Sequence, residues 1–140
     1  MHKPTIQGNT ITIPSDQQFL SDVDLFVEDM LRTFGADESV IADIAISVSE
    51  LVNNAIFHGN KASREKEVAV TCERSNSVVR IKVRDHGRGF DPRSIESPVS
   101  DENLLKEVGR GIFIVKSLMD SVAIEPSETG TTVVITKAIS

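Results

Sequence analysis

Apolar residues recur along this chain with two different periods, and the switches between them lay out its elements. From Thr10 to Pro14 the pattern alternates, with Ile11 and Ile13 on one face, which predicts a short strand stopped by proline. Phe19, Leu20, Val23, Phe26, Val27, Met30, Leu31 and Phe34 then repeat at steps of three and four, the mark of a helix with one apolar face. Ser15 or Asp16 suits its N-cap and Gly35 its C-terminal stop. Asp37 caps a second helix running to about Phe57, with Ile41, Ile44, Ala45, Val48, Val52 and Ala55 as the buried face. Val68 to Glu73 and Val78 to Arg84 read as strands joined by a turn at Ser75-Asn76-Ser77. In the second strand Val79, Ile81 and Val83 alternate with Arg80, Lys82 and Arg84, so one face is buried and the other basic and wet.

The segment from about Gly87 to Gly109 is polar and contains Pro92 and Pro98. It reads as a mobile lid with glycine hinges and a short helical piece at Leu104 to Val108. A third helix is expected from about Gly111 to Met119, offering Ile112, Val115, Leu118 and Met119 to the core. Val122 to Glu125 and Thr131 to Ile139 form a closing hairpin turned at Gly130. The sum is an α/β (α+β) two-layer sandwich, with helices on one face of a largely antiparallel mixed sheet.

Composition narrows the setting. The 140 residues (1–140) suit a single domain. No apolar run approaches the ~20 residues of a membrane span, and the N-terminus lacks a signal-peptide pattern. The lone cysteine, Cys72, cannot form an internal disulfide and is read as a packed thiol, which favours a reducing, cytoplasmic home. A net charge of −6, with no basic run and no Trp or Tyr, argues against direct nucleic-acid binding.

Three stretches carry candidate chemistry. On the second helix, Ser47, Glu50, Asn54 and His58 form a polar stripe at helical spacing that continues into Gly59-Asn60. A solvated face has such a composition too, but Asn54 lies too deep in the helix to cap it, and asparagine is a mediocre helix former. Asn54 offers a neutral oxygen to magnesium, which prefers an octahedron of oxygens shared with substrate phosphates. Glu50, one turn earlier, is placed to take a proton from a water or hydroxyl attacking a γ-phosphate. His58 has three readings: packing at the helix end, interaction with the helix dipole when protonated, or contact with the nucleotide.

The second stretch is Asp85-His86-Gly87-Arg88-Gly89 at a strand end. Asp85 can accept the exocyclic amine of adenine and disfavour guanine, which has a carbonyl there. Gly87 and Gly89 let backbone lie close to base and ribose. An ordinary Asp-Gly turn shares this composition. In the third stretch, Gly109-Arg110-Gly111 is read as opening a helix, where free N–H groups and the dipole favour phosphate. Arg110 either reaches a β- or γ-phosphate or is a solvated lid residue. Neither the dinucleotide fingerprint nor a Lys-containing P-loop occurs, and the few scattered histidines make a zinc site a poor fit.

In this order and setting the stretches resemble the motifs of the GHKL ATPases (gyrase, the heat-shock chaperone, histidine kinases and MutL) over nearly the whole chain. The N-box E-x-x-x-N-A matches Glu50, Asn54 and Ala55; the G1 box D-x-G-x-G matches Asp85, Gly87 and Gly89; the G2 box G-x-G matches Gly109 and Gly111. Within the superfamily the chain looks most like the small bacterial anti-sigma factor serine/threonine kinases. Its length, the His58-Gly59 ending of the N-box and the continuation Gly89-Phe90-Asp91-Pro92 all point there. Histidine kinases commonly place Asn where Glu50 stands and need a phosphoacceptor helix that has no counterpart here.

The resemblance implies the Bergerat fold with its ATP lid, and ATP and Mg2+ as cofactors. Asn54 would be the metal ligand, and Glu50 and Arg110 the catalytic pair. A threonine at Gly130-Thr131, with Thr132 the adjacent choice, would contact adenine through water. The resemblance also implies an anti-anti-sigma (STAS-type) protein as phosphorylated partner, a sequestered sigma factor, and a homodimer paired through N-terminal surfaces around Ile11 and Ile13. The alternatives are a non-catalytic, nucleotide-gated partner-binding module and a histidine-kinase catalytic domain acting in trans.

Overall fold

Alternating apolar and polar positions give strands that pair into one twisted sheet with a dry face and a wet face. The computed structural model describes residues 3–63, 65–87 and 100–139. Among these, the strands are β1 (Thr5–Gln7), β2 (Thr10–Pro14), β3 (Glu67–Ser75), β4 (Val78–Arg84), β5 (Ser121–Ser127) and β6 (Gly130–Ala138), in the order β1-β2-β3-β4-β6-β5. Every neighbouring pair is antiparallel, so the expected mixed character is absent. The Ser75-Asn76-Ser77 turn carries Asn76 at φ 56°, a conformation asparagine tolerates better than most residues.

Three helices cover the dry face: α1 (Leu20–Thr33), entered through a 3-10 turn at Gln17–Phe19; α2 (Glu38–Asn54), continuing into a π-helical turn at Ala55–Gly59; and α3 (Ser100–Leu118). Asp16 caps the first entry by accepting the Gln18 amide, and Asp37 caps α2 by accepting the Val40 amide at 3.0 Å. α2 lies between α1 and α3 and packs on β4 and β6, while α1 packs on β2 and β3 and α3 on β5. The core is mostly aliphatic: Val23, Val27 and Leu31 of α1 and Ile44, Val48 and Val52 of α2 join Ile13, Val70, Ile81 and Ile135 of the sheet, with Phe26 among them. The α2 segment Glu38–Gly59 is long and apolar enough, at mean hydropathy 1.5, to cross a bilayer by length and composition alone. Its apolar face is spent on this core. Cys72 is buried in the same core.

The structure departs from the sequence reading in three further places. First, β1 is a strand that three exposed residues do not announce; it pairs with β2 and takes the edge. Ile11 and Ile13, expected near a pairing surface, are 1% and 0% exposed because their side of β2 faces α1. Second, Ser47 leaves the polar stripe: it is buried and donates to the Asp43 carbonyl at 2.9 Å. Third, α3 begins at Ser100, not at Gly111, so it absorbs the Leu104–Val108 piece and both glycines. The helical spacing of Val108, Ile112, Val115 and Met119 is unbroken in the sequence. A glycine costs only ~1 kcal/mol in a helix interior, too little to end one whose face is buried. The remaining lid residues, 88–99, lie outside the described residues.

Candidate functional site

The α2 stripe now has a local reason. With Leu51, Val52 and Ala55 turned into the core, Glu50, Asn54 and His58 fall on the neighbouring face. Both Glu50 and Asn54 point at α3 where it passes overhead. A Cβ added to Gly111 would stand 3.2 Å from Glu50 Oε2, 3.2 Å from Asn54 Nδ2 and 3.7 Å from Asn54 Oδ1. A carboxylate and a carboxamide therefore converge on one point, and the absence of a side chain at Gly111 is what lets the helix approach it.

The strand side is organised around Asp85. β4 ends at Arg84, paired with Thr132, and the next residue continues the contact with β6: Asp85 donates its amide to the Thr131 carbonyl at 3.0 Å. Its Oδ1 accepts the amides of Thr131 at 3.1 Å and Gly87 at 3.0 Å. Oδ2 takes no hydrogen bond among the described residues. The residue is 7% exposed. Burial pushes its carboxyl above the ordinary aspartate range, against the opposing pull of the Thr131 and Gly87 amides and of nearby His86 and Arg84. Glycines from three segments hem it in. A Cβ on Gly59 would overlap the Asp85 carboxylate, one on Gly87 the Gly59 carbonyl, and one on Gly130 the Asp85 carbonyl. Only hydrogen at these positions permits the packing.

Between the two sides lies a cleft of about 60 Å³. Leu51, Val83, Ile124 and Val133 give it apolar walls, Ile112 of α3 closes it, and Asn54, His58, Asp85 and Thr131 supply its polar groups. The register separates the two threonines: Thr131 is buried on the cleft, while Thr132 lies on the opposite face beside Lys82 and Arg84. A buried carboxylate on an apolar cleft, with one oxygen pinned and the other, beside Gly59, taking no hydrogen bond among the described residues, suits a flat heteroaromatic edge that carries an amine. A carboxylate and a carboxamide one turn away suit a cation and the hydroxyl it accompanies. This donor set fits a purine nucleoside triphosphate with Mg2+.

Of the site residues expected from sequence, Asn54, Asp85 and Thr131 share this cleft. Gly87 braces Asp85, and Glu50 meets Asn54 beneath Gly111. Gly109 and Arg110 lie on α3, exposed. Gly109 and Gly111 do not open a helix, so the expectation of free helix-opening amides for phosphate does not hold in this conformation. Gly89 lies outside the described residues. The sequence placed Gly59 and Asn60 at the end of the polar stripe and Gly130 beside the candidate threonine, but not the packing of the two glycines on Asp85 or the bond of Asn60 to the His86 amide. The glycines had a visible signal, a residue without Cβ at a helix end and at a hairpin start, but which backbone each approaches is a tertiary fact.

A family model described as "Histidine kinase-like ATPase domain" matches residues 13–137. The serine-protein kinase RsbW of Staphylococcus aureus strain JH9 is 31% identical over 134 residues, covering 91% of this chain and 84% of that protein. RsbW of S. aureus strain Newman matches with the same figures. Among solved structures, the RsbU and RsbW domains of Rv1364c from Mycobacterium tuberculosis superpose with a TM-score of 0.65 at 25% identity, covering 93% of this chain and 31% of that one. The histidine kinase domain from the Erythrobacter litoralis EL346 blue-light activated histidine kinase superposes at 0.56 with 19% identity, covering 91% of this chain and 62% of that one, a likeness of fold alone.

Proposed function

The chain belongs to the histidine kinase-like ATPase family, among the relatives of the serine-protein kinase RsbW, and on that footing we propose that it is an ATP-dependent protein serine/threonine kinase and anti-sigma factor. Its substrate is an anti-anti-sigma protein of STAS type, and its second partner is a sigma factor that it sequesters, as a homodimer in the cytoplasm. The observation that carries the nucleotide half is Asp85 on the cleft, with Oδ1 held by two backbone amides and Oδ2 taking no hydrogen bond among the described residues.

In this reading Asp85 Oδ2 accepts the adenine amine, and the apolar walls take the ring faces. Asn54 would hold Mg2+, which supplies neutralisation of the phosphate charge when bound. The partner's hydroxyl oxygen attacks the γ-phosphorus, the bond to the β–γ bridging oxygen breaks, and ADP leaves. The hydroxyl proton passes to the Glu50 carboxylate. Thr131 and Gly87 hold Asp85 in place, and Arg110 stabilises charge on the transferring phosphoryl.

The test is incubation with labelled ATP, Mg2+ and a STAS-type partner. Transfer to a partner serine or threonine, lost in Glu50→Ala while ATP binding survives, is the expected result. No Glu50-dependent label on the partner refutes the kinase. Sigma binding is tested separately by capture of purified sigma factors. One feature favours a second reading, a nucleotide-gated binding module: α3 is helical across Gly109–Gly111 and covers Glu50 and Asn54. ATP binding that alters partner capture with no transfer selects it.

A further inference from the structure

The polar line of α2 does not end at His58. Asn60, just beyond the π-helical turn, is 1% exposed, and its side chain bonds to three separate segments. Nδ2 donates to Ser15 Oγ at 2.7 Å and to the Glu67 carbonyl at 3.0 Å, while Oδ1 accepts the His86 amide at 2.8 Å. Ser15 Oγ donates onward to the Lys66 carbonyl at 2.6 Å. One carboxamide thus ties the residue after β2, the start of β3 and the chain leaving β4 to the end of α2.

The π-helical turn delivers it: the Asn60 amide donates to the Ala55 carbonyl, five residues back, at 2.8 Å. The bond that matters for the site is the one to His86, because His86 directly follows Asp85. The next amide, Gly87, is held by Asp85 itself at 3.0 Å. Of the two amides that follow the carboxylate, one is anchored by Asn60 and the other by the carboxylate. Thr131 holds the carboxylate from the β6 side; release of the His86 amide loosens the other side, the chain that carries the Gly87 amide, on the flank where Gly59 touches Asp85.

We propose that Asn60 is a positioning residue for purine selection: by holding the His86 amide it sets the direction in which Asp85 Oδ2 faces the cleft, and so the preference for a 6-amino over a 6-carbonyl purine. This rests on the reading of Asp85 as the adenine acceptor. A merely structural asparagine predicts something different. Its loss would lower stability and weaken both purines alike, because neither would meet a changed acceptor.

The experiment measures calorimetric affinities of the whole protein for ATP and inosine triphosphate with Mg2+, alongside melting temperatures. Wild type is expected to prefer ATP by about tenfold or more, since a site built for a donor rejects a ligand that lacks it. Asn60→Ala brings the ratio to within about twofold of unity, with a buried amide left unpaired. Ser15→Ala breaks the same network away from His86; it lowers the melting temperature and keeps the ratio. Asn60→Asp keeps an acceptor for the His86 amide and retains most of the ratio. A wild-type ratio in Asn60→Ala, or a collapse as large in Ser15→Ala, overturns the positioning role while the Asp85 reading stands. Equal wild-type affinity for the two nucleotides overturns the Asp85 reading and the proposal with it. Should Asn60→Ala not fold, hydrogen exchange at the wild-type His86 amide decides: protection supports the role, and exchange at the rate of an unstructured peptide refutes it.

Discussion

Alanine at Gly109 and at Gly111 puts the same methyl group on the same helix with opposite surroundings. Both positions lie inside α3, and neither has a positive φ. In a helix interior alanine is favoured over glycine by about 1 kcal/mol. At Gly109 the added Cβ meets nothing within 4 Å among the described residues, so the full gain should appear. For a chain of this length that is a rise of about 3–5 °C in melting temperature. At Gly111 the Cβ would stand 3.2 Å from both Glu50 Oε2 and Asn54 Nδ2. Both atoms are the ends of side chains that make no hydrogen bond among the described residues, so they give way by a few tenths of an ångström, at a cost of roughly 0.5–1.5 kcal/mol if a rotamer is strained. The two effects nearly cancel, and Gly111→Ala should melt within about 2 °C of wild type. Binding should not be spared, because the shifted groups are those assigned to the cation and the proton. Calorimetric affinity for ATP with Mg2+ should fall by about tenfold, or ~1.4 kcal/mol. Scanning calorimetry and titration of the two variants read both quantities. If the glycines instead open the helix in the free protein, as the sequence suggests, Gly109→Ala gains nothing or loses stability. A lowered melting temperature for Gly109→Ala therefore refutes the continuous helix and the argument built on it.

Three further outcomes follow from the same geometry. Gly87→Ala forces a methyl into the Gly59 carbonyl, backbone against backbone; a loss of about 3 kcal/mol or more in urea unfolding is expected, and a loss under ~1 kcal/mol would show that the two segments are not in contact. Asp85→Asn keeps an acceptor for the two amides and removes the buried charge. Since burial raises the Asp85 pKa, its stabilising contribution is complete below the ordinary carboxylate range and is lost as pH rises through the raised value. The melting temperature of Asp85→Asn relative to wild type should therefore climb as pH rises above the ordinary carboxylate range, and a difference that stays flat with pH contradicts the burial argument. Cys72, buried with its thiol pushed up to about 12, should resist a thiol reagent at neutral pH until the protein is unfolded; labelling of the native protein at the rate of a free thiol would disprove its placement.

Much of this protein is written in local pattern. The α1 stripe, the Asp37 cap, the alternation of β4 and the closing hairpin each depend on residues within one or two turns or pairs of one another, so spacing alone places them. The same is true of Glu50 and Asn54, one helical turn apart, and of Asp85 at a strand end. Where local signals were ambiguous, reading them failed. β1 has only three exposed residues and exists because β2 has an edge to offer. Gly109 and Gly111 look like a helix boundary in isolation, yet the buried face of α3 outweighs their modest cost.

The amino-acid order thus determined which chemical groups this protein carries and on which kind of element each one rides, because propensity and periodicity act over a few residues. What only the folded chain decided is which groups meet: Gly59 against Asp85, Gly111 over Glu50 and Asn54, Thr131 rather than Thr132 on the cleft, and Asn60 on the His86 amide. These contacts join segments far apart in sequence. They are chosen by the register of β4 on β6 and the seating of α2 and α3 on the sheet, and no local rule encodes the distance between two backbones that only glycine allows to touch.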